Sequence, residues 1–137
     1  MSVLKGFLQP SPMLETKEVI ISDRFKGEDG KPLPFKIRTI DQSTNDRLYK
    51  ASMKNYTVKG QTFRQLDSMD YSRRLVVACT VSPDFSDTEL CDYYKCIDPL
   101  EVPGKMLSAG EHAKLIEAIN DLNGFNDTDL SDEAKNS

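Results

Sequence analysis

The first regular pattern of apolar residues begins at Glu18. Val19, Ile21 and Phe25 hold odd positions in a β-branched run. Phe35, Ile37 and Thr39 repeat the alternation beyond the polar segment Lys26-Gly27-Glu28-Asp29-Gly30-Lys31-Pro32. Strand side chains alternate between two faces, so period-two spacing on both sides of a glycine-rich segment predicts a β-hairpin. The connection is longer than a two-residue turn, which leaves the register open. A lone hairpin is marginal in water, so its apolar face must be covered by helices or another strand.

After Asp41 the period lengthens. Asp41-Gln42-Ser43-Thr44 offers several N-caps, and Leu48, Ala51, Ser52 and Met53 follow at helical spacing. Asn55–Leu66 fits either a second small hairpin around Lys59-Gly60 or an exposed loop, and the loop is preferred. Asp67 or Ser68 can cap a helix through Leu75, Val76, Ala78 and Cys79 that ends before Pro83. As the most apolar stretch, it is expected at the centre of the core. Ser86-Asp87-Thr88-Glu89 matches a capping box ahead of Leu90, Tyr93 and Tyr94. Asp98-Pro99 opens another short turn, which Pro103-Gly104 closes. The clearest helix starts at a second capping box, Ser108-Ala109-Gly110-Glu111, and carries the stripe Leu115, Ile116, Ile119, Leu122. Gly124 stands where a left-handed cap belongs, and Phe125 can fold back toward Ile119.

These elements make an α+β domain over residues 18–125, an N-terminal hairpin packed on four or five helices. Residues 1–17 read as a flexible leader, since Pro10 and Pro12 deny it a continuous helix. Val3-Leu4 and Phe7-Leu8 can still dock a short turn. Residues 126–137 hold four acids against one lysine and read as a disordered acidic tail.

Composition narrows the function. The chain has 137 residues, 38% hydrophobic and 29% charged, which is enough for one ordinary core. A net charge of -4 and the lack of a basic run argue against nucleic acid and anionic membranes. No run approaches the roughly 20 apolar residues of a membrane span. The N-terminus lacks a signal-peptide core, so the expected location is the cytoplasm. There the odd set Cys79, Cys91 and Cys96 stays reduced.

Candidate chemistry dissolves on inspection. His112 is the sole histidine, and its neighbour Glu111 is occupied by the capping box; no nucleophile is placed beside it. Cys79, Cys91, Cys96 and His112 supply four soft zinc ligands. However, Cys91 and Cys96 flank a helical stretch and do not form a knuckle turn, so buried structural thiols are expected. Asp127, Asp129, Ser131, Asp132 and Glu133 lack the glycine and final glutamate of a calcium loop. Gly27 and Gly30 precede a strand and not the helix of a phosphate loop. Arg73-Arg74 can line the wet side of a helix or meet an acidic partner. No catalytic, cofactor or metal residue is assigned, and the residues read as a non-enzymatic binding module.

The order of the pieces carries more. Glu18-Val19-Ile20-Ile21-Ser22-Asp23-Arg24-Phe25, Asp29-Gly30-Lys31-Pro32 and Phe35-Lys36-Ile37-Arg38 are followed by Val81-Ser82-Pro83-Asp84-Phe85. Leu107 to Leu115 and Leu122-Asn123-Gly124-Phe125 complete the set. In this order they resemble the XkdN-like phage tail assembly chaperones, over roughly residues 15–125. The chain departs from the family's usual tryptophan at Phe35 and prolines at Thr39 and Ala109. The resemblance implies a tail-assembly role in the bacterial cytoplasm. It also implies a partner, the long helical tape measure protein, kept soluble until tube subunits polymerise around it, and possibly other tail proteins. A structural tail component retained in the virion and a small host-directed adaptor are the alternatives. Apolar residues around the hairpin or the Tyr93-Tyr94 segment are the expected covering surface.

Overall fold

The computed structural model describes residues 3–126; the expected acidic tail lies almost wholly outside them. Helix α1 (Val3–Leu8) has no buried residue. Strand β1 (Thr16–Val19) pairs antiparallel with β2 (Phe35–Arg38), in the register Thr16↔Arg38 to Val19↔Phe35. The expected N-terminal hairpin is therefore present, with its first strand starting inside the segment read as leader. Thr39 ties that start down: its N–H donates to the Glu15 carbonyl at 2.9 Å, and its hydroxyl accepts the Glu15 N–H at 2.8 Å. In the connection, Asp29 Oδ1 accepts the Lys31 N–H, and Gly30 takes φ +78°, a conformation open to residues without a Cβ.

Asp41 caps α2 (Gln42–Ala51) by accepting the Thr44 N–H. The helix ends sooner than its apolar spacing suggests. Ser52 is its buried cap, and Met53 opens a strand. The Asn55–Leu66 region is not a loop. It forms a second hairpin, β3 (Met53–Val58) with β4 (Gln61–Leu66), in register from Met53↔Leu66 to Val58↔Gln61. The turn is Lys59-Gly60, both at positive φ (52° and 79°). That is the primed geometry whose twist matches a tight hairpin, and it accounts for the glycine.

Asp67 caps α3 (Ser68–Cys79), which buries Leu75, Val76 and Cys79 at the centre of the core. The chain then enters β5 (Thr80–Ser82), a strand the sequence pattern did not announce. It pairs antiparallel with β2 and completes a three-stranded sheet of order β1-β2-β5. Three residues are too few to show alternation.

Helix α4 (Thr88–Tyr93) is capped by Asp87, whose Oδ1 accepts the Glu89 and Leu90 N–H groups. The expected box on Ser86 is thus replaced by a cap one residue later, because a carboxylate reaches two donors there. A 3-10 turn (Pro99–Glu101) leads into α5 (Val102–Met106). Pro103 and Gly104 lie within α5 and do not close the turn. Proline is tolerated in a first helical turn, whose N–H groups have no partner inside the helix.

Helix α6 (Ala109–Leu122) shows the full capping box between Ser108 and Glu111. Its face places Leu115 and Ile119 at 0% exposure against α3 and β2. At its end the Gly124 N–H donates to Asp121 and the Phe125 N–H to Asn120, while the Phe125 ring stays about half exposed. The core is one cluster, in which Phe35 and Ile37 of the sheet meet Leu75, Val76, Leu115, Ile119 and Phe85.

Candidate partner-binding surfaces

Residues with chemical potential are scattered or already occupied. Among the described residues no three His, Cys, Asp or Glu side chains gather closely enough to hold a metal. Cys79, Cys91 and Cys96 are free, buried thiols. Burial pushes the Cys79 thiol up to about 11 despite a hydrogen bond from Asn123, and burial raises Cys91 as well. Thiols so disfavoured as thiolates are poor nucleophiles.

His112 is half-buried beside Arg73, in a depression shared with Ser68, Met69 and Ser72. No hydrogen bond links its imidazole to another described residue, so no oriented base is formed. Arg74 is paired with Asp70 at 2.8 Å, whereas Arg73 is exposed.

Glu111 does more than cap its helix. Its carboxylate takes Arg24 Nε at 2.8 Å and Nη2 at 2.6 Å, while the Ser108 N–H donates at 2.8 Å. Arg24 Nη2 also donates to the Met106 carbonyl. The guanidinium, then the Ser108 N–H, hold the Glu111 carboxyl far below the usual carboxylate range. The group is a structural clamp, with its lone pairs already engaged.

The Leu122-Asn123-Gly124-Phe125 segment is likewise structural. Asn123 Oδ1 accepts the Ile40 N–H at 3.0 Å, while Nδ2 donates to the carbonyls of Ile119 and Arg38. Leu122-Asn123-Gly124-Phe125 thus closes α6 and fastens it to the end of β2.

What remains is uncovered apolar surface. One area lies over α4, where Pro83, Leu90 and Tyr93 form a shallow groove rimmed by Asp84, Asp87 and Glu89. Tyr93 is 77% exposed and Ile97, just beyond, is 100% exposed. Pro83, joined to Ser82 by a cis peptide bond, also borders a second apolar depression with Phe25, Leu33, Phe35 and Met106. The other area is the β3–β4 ribbon, with Tyr56 directly opposite Phe63 and Val58 near the tip, all exposed. Tyr94, by contrast, packs inward on the core and stacks edge-on against Tyr93 at 4.8 Å. Of the Tyr93-Tyr94 pair, only the first is available to a partner. Helix α1 adds exposed Val3, Phe7 and Leu8. Large exposed apolar side chains beside charged rims are what protein-binding surfaces present. No helix among the described residues is long and apolar enough to cross a membrane.

Residues 4–135 match the family model described as phage XkdN-like tail assembly chaperone protein. This chain belongs to that family. The chain is 36% identical over 137 residues to the phage-like element PBSX protein XkdN of Bacillus subtilis (strain 168), covering 96% of this chain and 93% of that one. It is 37% identical to the uncharacterized protein YqbN of the same strain, over 96% and 92% of the two chains. Its fold matches a crystal structure of YqbN with a TM-score of 0.73 at 34% identity, covering 88% of this chain and 95% of the other. The motif segments that order the chaperone sequence are, in this structure, a hairpin, a bidentate ion pair, a strand-to-helix corner and a helix cap.

Proposed function

We propose that this tail assembly chaperone acts without catalysis in the bacterial cytoplasm, binding the tape measure protein of its own phage or phage-like element and keeping it soluble. The observation that carries this reading is the apolar surface over α4, where Leu90 and Tyr93 line a groove with a carboxylate rim and Tyr93 and Ile97 are exposed. A long amphipathic helix exposes apolar residues that associate unless covered, and a groove with a charged border can cover them reversibly. The Arg24–Glu111 pair and Asn123 are engaged in structure, which leaves this surface as the part open to contact with other tail proteins.

The test is co-expression with the long helical open reading frame from the same tail gene cluster. The expected result is that the long protein becomes soluble and co-purifies with this chain. The Tyr93→Asp/Ile97→Asp variant, folded by circular dichroism, is expected to lose both effects. A tape measure protein equally insoluble with and without the chain would overturn the reading. Mass spectrometry of purified particles addresses the alternative, since a stoichiometric presence would mark a structural tail component.

A further inference from the structure

The net charge of -4 conceals two regions of opposite sign. Residues 53–66, the β3–β4 hairpin, contain Lys54, Lys59 and Arg64 and no acid. Residues 83–94, which build the α4 groove, contain Asp84, Asp87, Glu89 and Asp92 and no base. Lys54 turns to Asp70 at 3.5 Å, so Lys59 and Arg64 are the hairpin cations without an ion pair among the described residues. None of the four carboxylates of this segment has one either, although Asp84 and Asp87 accept backbone N–H groups. Asp84, Asp87 and Glu89 line the groove, and Asp92 lies on the same helix α4. Both regions are also apolar at their centres: Tyr56, Val58 and Phe63 on the ribbon, Pro83, Leu90 and Tyr93 in the groove.

We infer that copies of this chain associate through unlike patches, the hairpin of one copy seating on the α4 groove of another. A two-stranded ribbon is marginal on its own, and one that exposes an aromatic cross-strand pair is stabilised by cover. The groove supplies apolar floor and opposite charge together, the combination that steers and orients association. Pairing of like patches is disfavoured, because hairpin on hairpin sets Lys59 and Arg64 against themselves and groove on groove opposes carboxylates. A contact between unlike patches closes as a reciprocal two-fold dimer where both hairpins reach both grooves at once, and otherwise propagates to a ring or an open chain. No hydrogen bond or ion pair joins hairpin and groove within one described chain, which leaves both free for neighbours. The inference does not depend on tape-measure binding; both use the α4 groove, so a neighbour's hairpin and the tape measure protein compete for it.

The experiment is sedimentation velocity on the full chain alone, over a wide concentration range. Average mass is expected to rise with concentration in about 50 mM salt. It should fall back in about 500 mM, where the screening length drops from roughly 14 Å to about 4 Å. Lys59→Glu/Arg64→Glu and Glu89→Lys/Asp92→Lys are each expected to stay monomeric. Mixed in equal amounts they should associate again, since each then offers the other a complementary patch. A wild-type chain that is monomeric at every concentration in low salt would overturn the inference. So would a dimer indifferent to salt and to both reversals, or two folded variants that ignore each other. The salt dependence of the wild-type chain decides the matter even if a variant fails to fold.

Discussion

Arg24 grips Glu111 with two hydrogen bonds, 2.8 and 2.6 Å, across 87 residues of sequence. This bidentate pair fastens the segment after β1 to the first turn of α6, and its geometry gives it a distinctive pH signature. The Glu111 carboxyl sits far below its unfolded range, chiefly because of Arg24. Its contribution is therefore complete above the unfolded value of about 4.3 and is lost as pH falls below it toward the folded value. Denaturant midpoints measured from pH 7 down to pH 3 should fall in the wild type below about pH 4.5. In Glu111→Gln the midpoint should be lower at pH 7 and flatter across that range. An identical slope in both proteins would refute the assignment.

Asn123 is the second clamp. Replacing it with alanine removes the acceptor of the half-buried Ile40 N–H and the donor to Ile119 and Arg38. A buried donor left unmade costs about 1–3 kcal/mol, so urea unfolding of Asn123→Ala should show a loss of that order. Asn123→Asp keeps the acceptor and should recover part of it.

Core and binding surface should separate cleanly in stability. Leu115 is 0% exposed, and Leu115→Ala is expected to cost about 2–5 kcal/mol by chemical denaturation. Tyr93→Ala and Ile97→Ala remove equally apolar side chains from exposed sites, and should stay within about 0.5 kcal/mol of wild type. A large loss at either position would mean that the surface is structural.

The thiols offer a simple probe of native packing. All three cysteines are buried, and Cys79 is raised to about 11. A thiol reagent at pH 8 should label them slowly in the folded chain and all at once in denaturant. Fast labelling of Cys91 or Cys96 in the native chain would place the α4 region in rapid local opening.

Local patterns carried the sequence reading a long way. Alternation around Gly30 marks the first hairpin, because strand periodicity is written into neighbouring residues. Asp41, Asp67 and the Ser108–Glu111 box mark helix starts, because a cap acts over three residues. For the β3–β4 segment the pattern favours a loop over the hairpin that forms, even though Lys59-Gly60 stands at its turn. Its residues alternate weakly, as both faces lie in solvent and nothing selects an apolar side. Strand β5 was hidden by its length, and the Asp87 cap by a rival motif one residue away.

The amino-acid sequence by itself determined the first hairpin, the capped helix starts, the α6 stripe and the family resemblance. Those properties depend on residues near one another or on their order along the chain. Only the tertiary structure decided that Glu111 binds Arg24 and that Asn123 holds Ile40. It alone showed that Tyr94 turns inward while Tyr93 and Ile97 stay uncovered. Such contacts join residues far apart in sequence. Whether an apolar side chain is core or surface depends on what folds over it, which no local pattern contains.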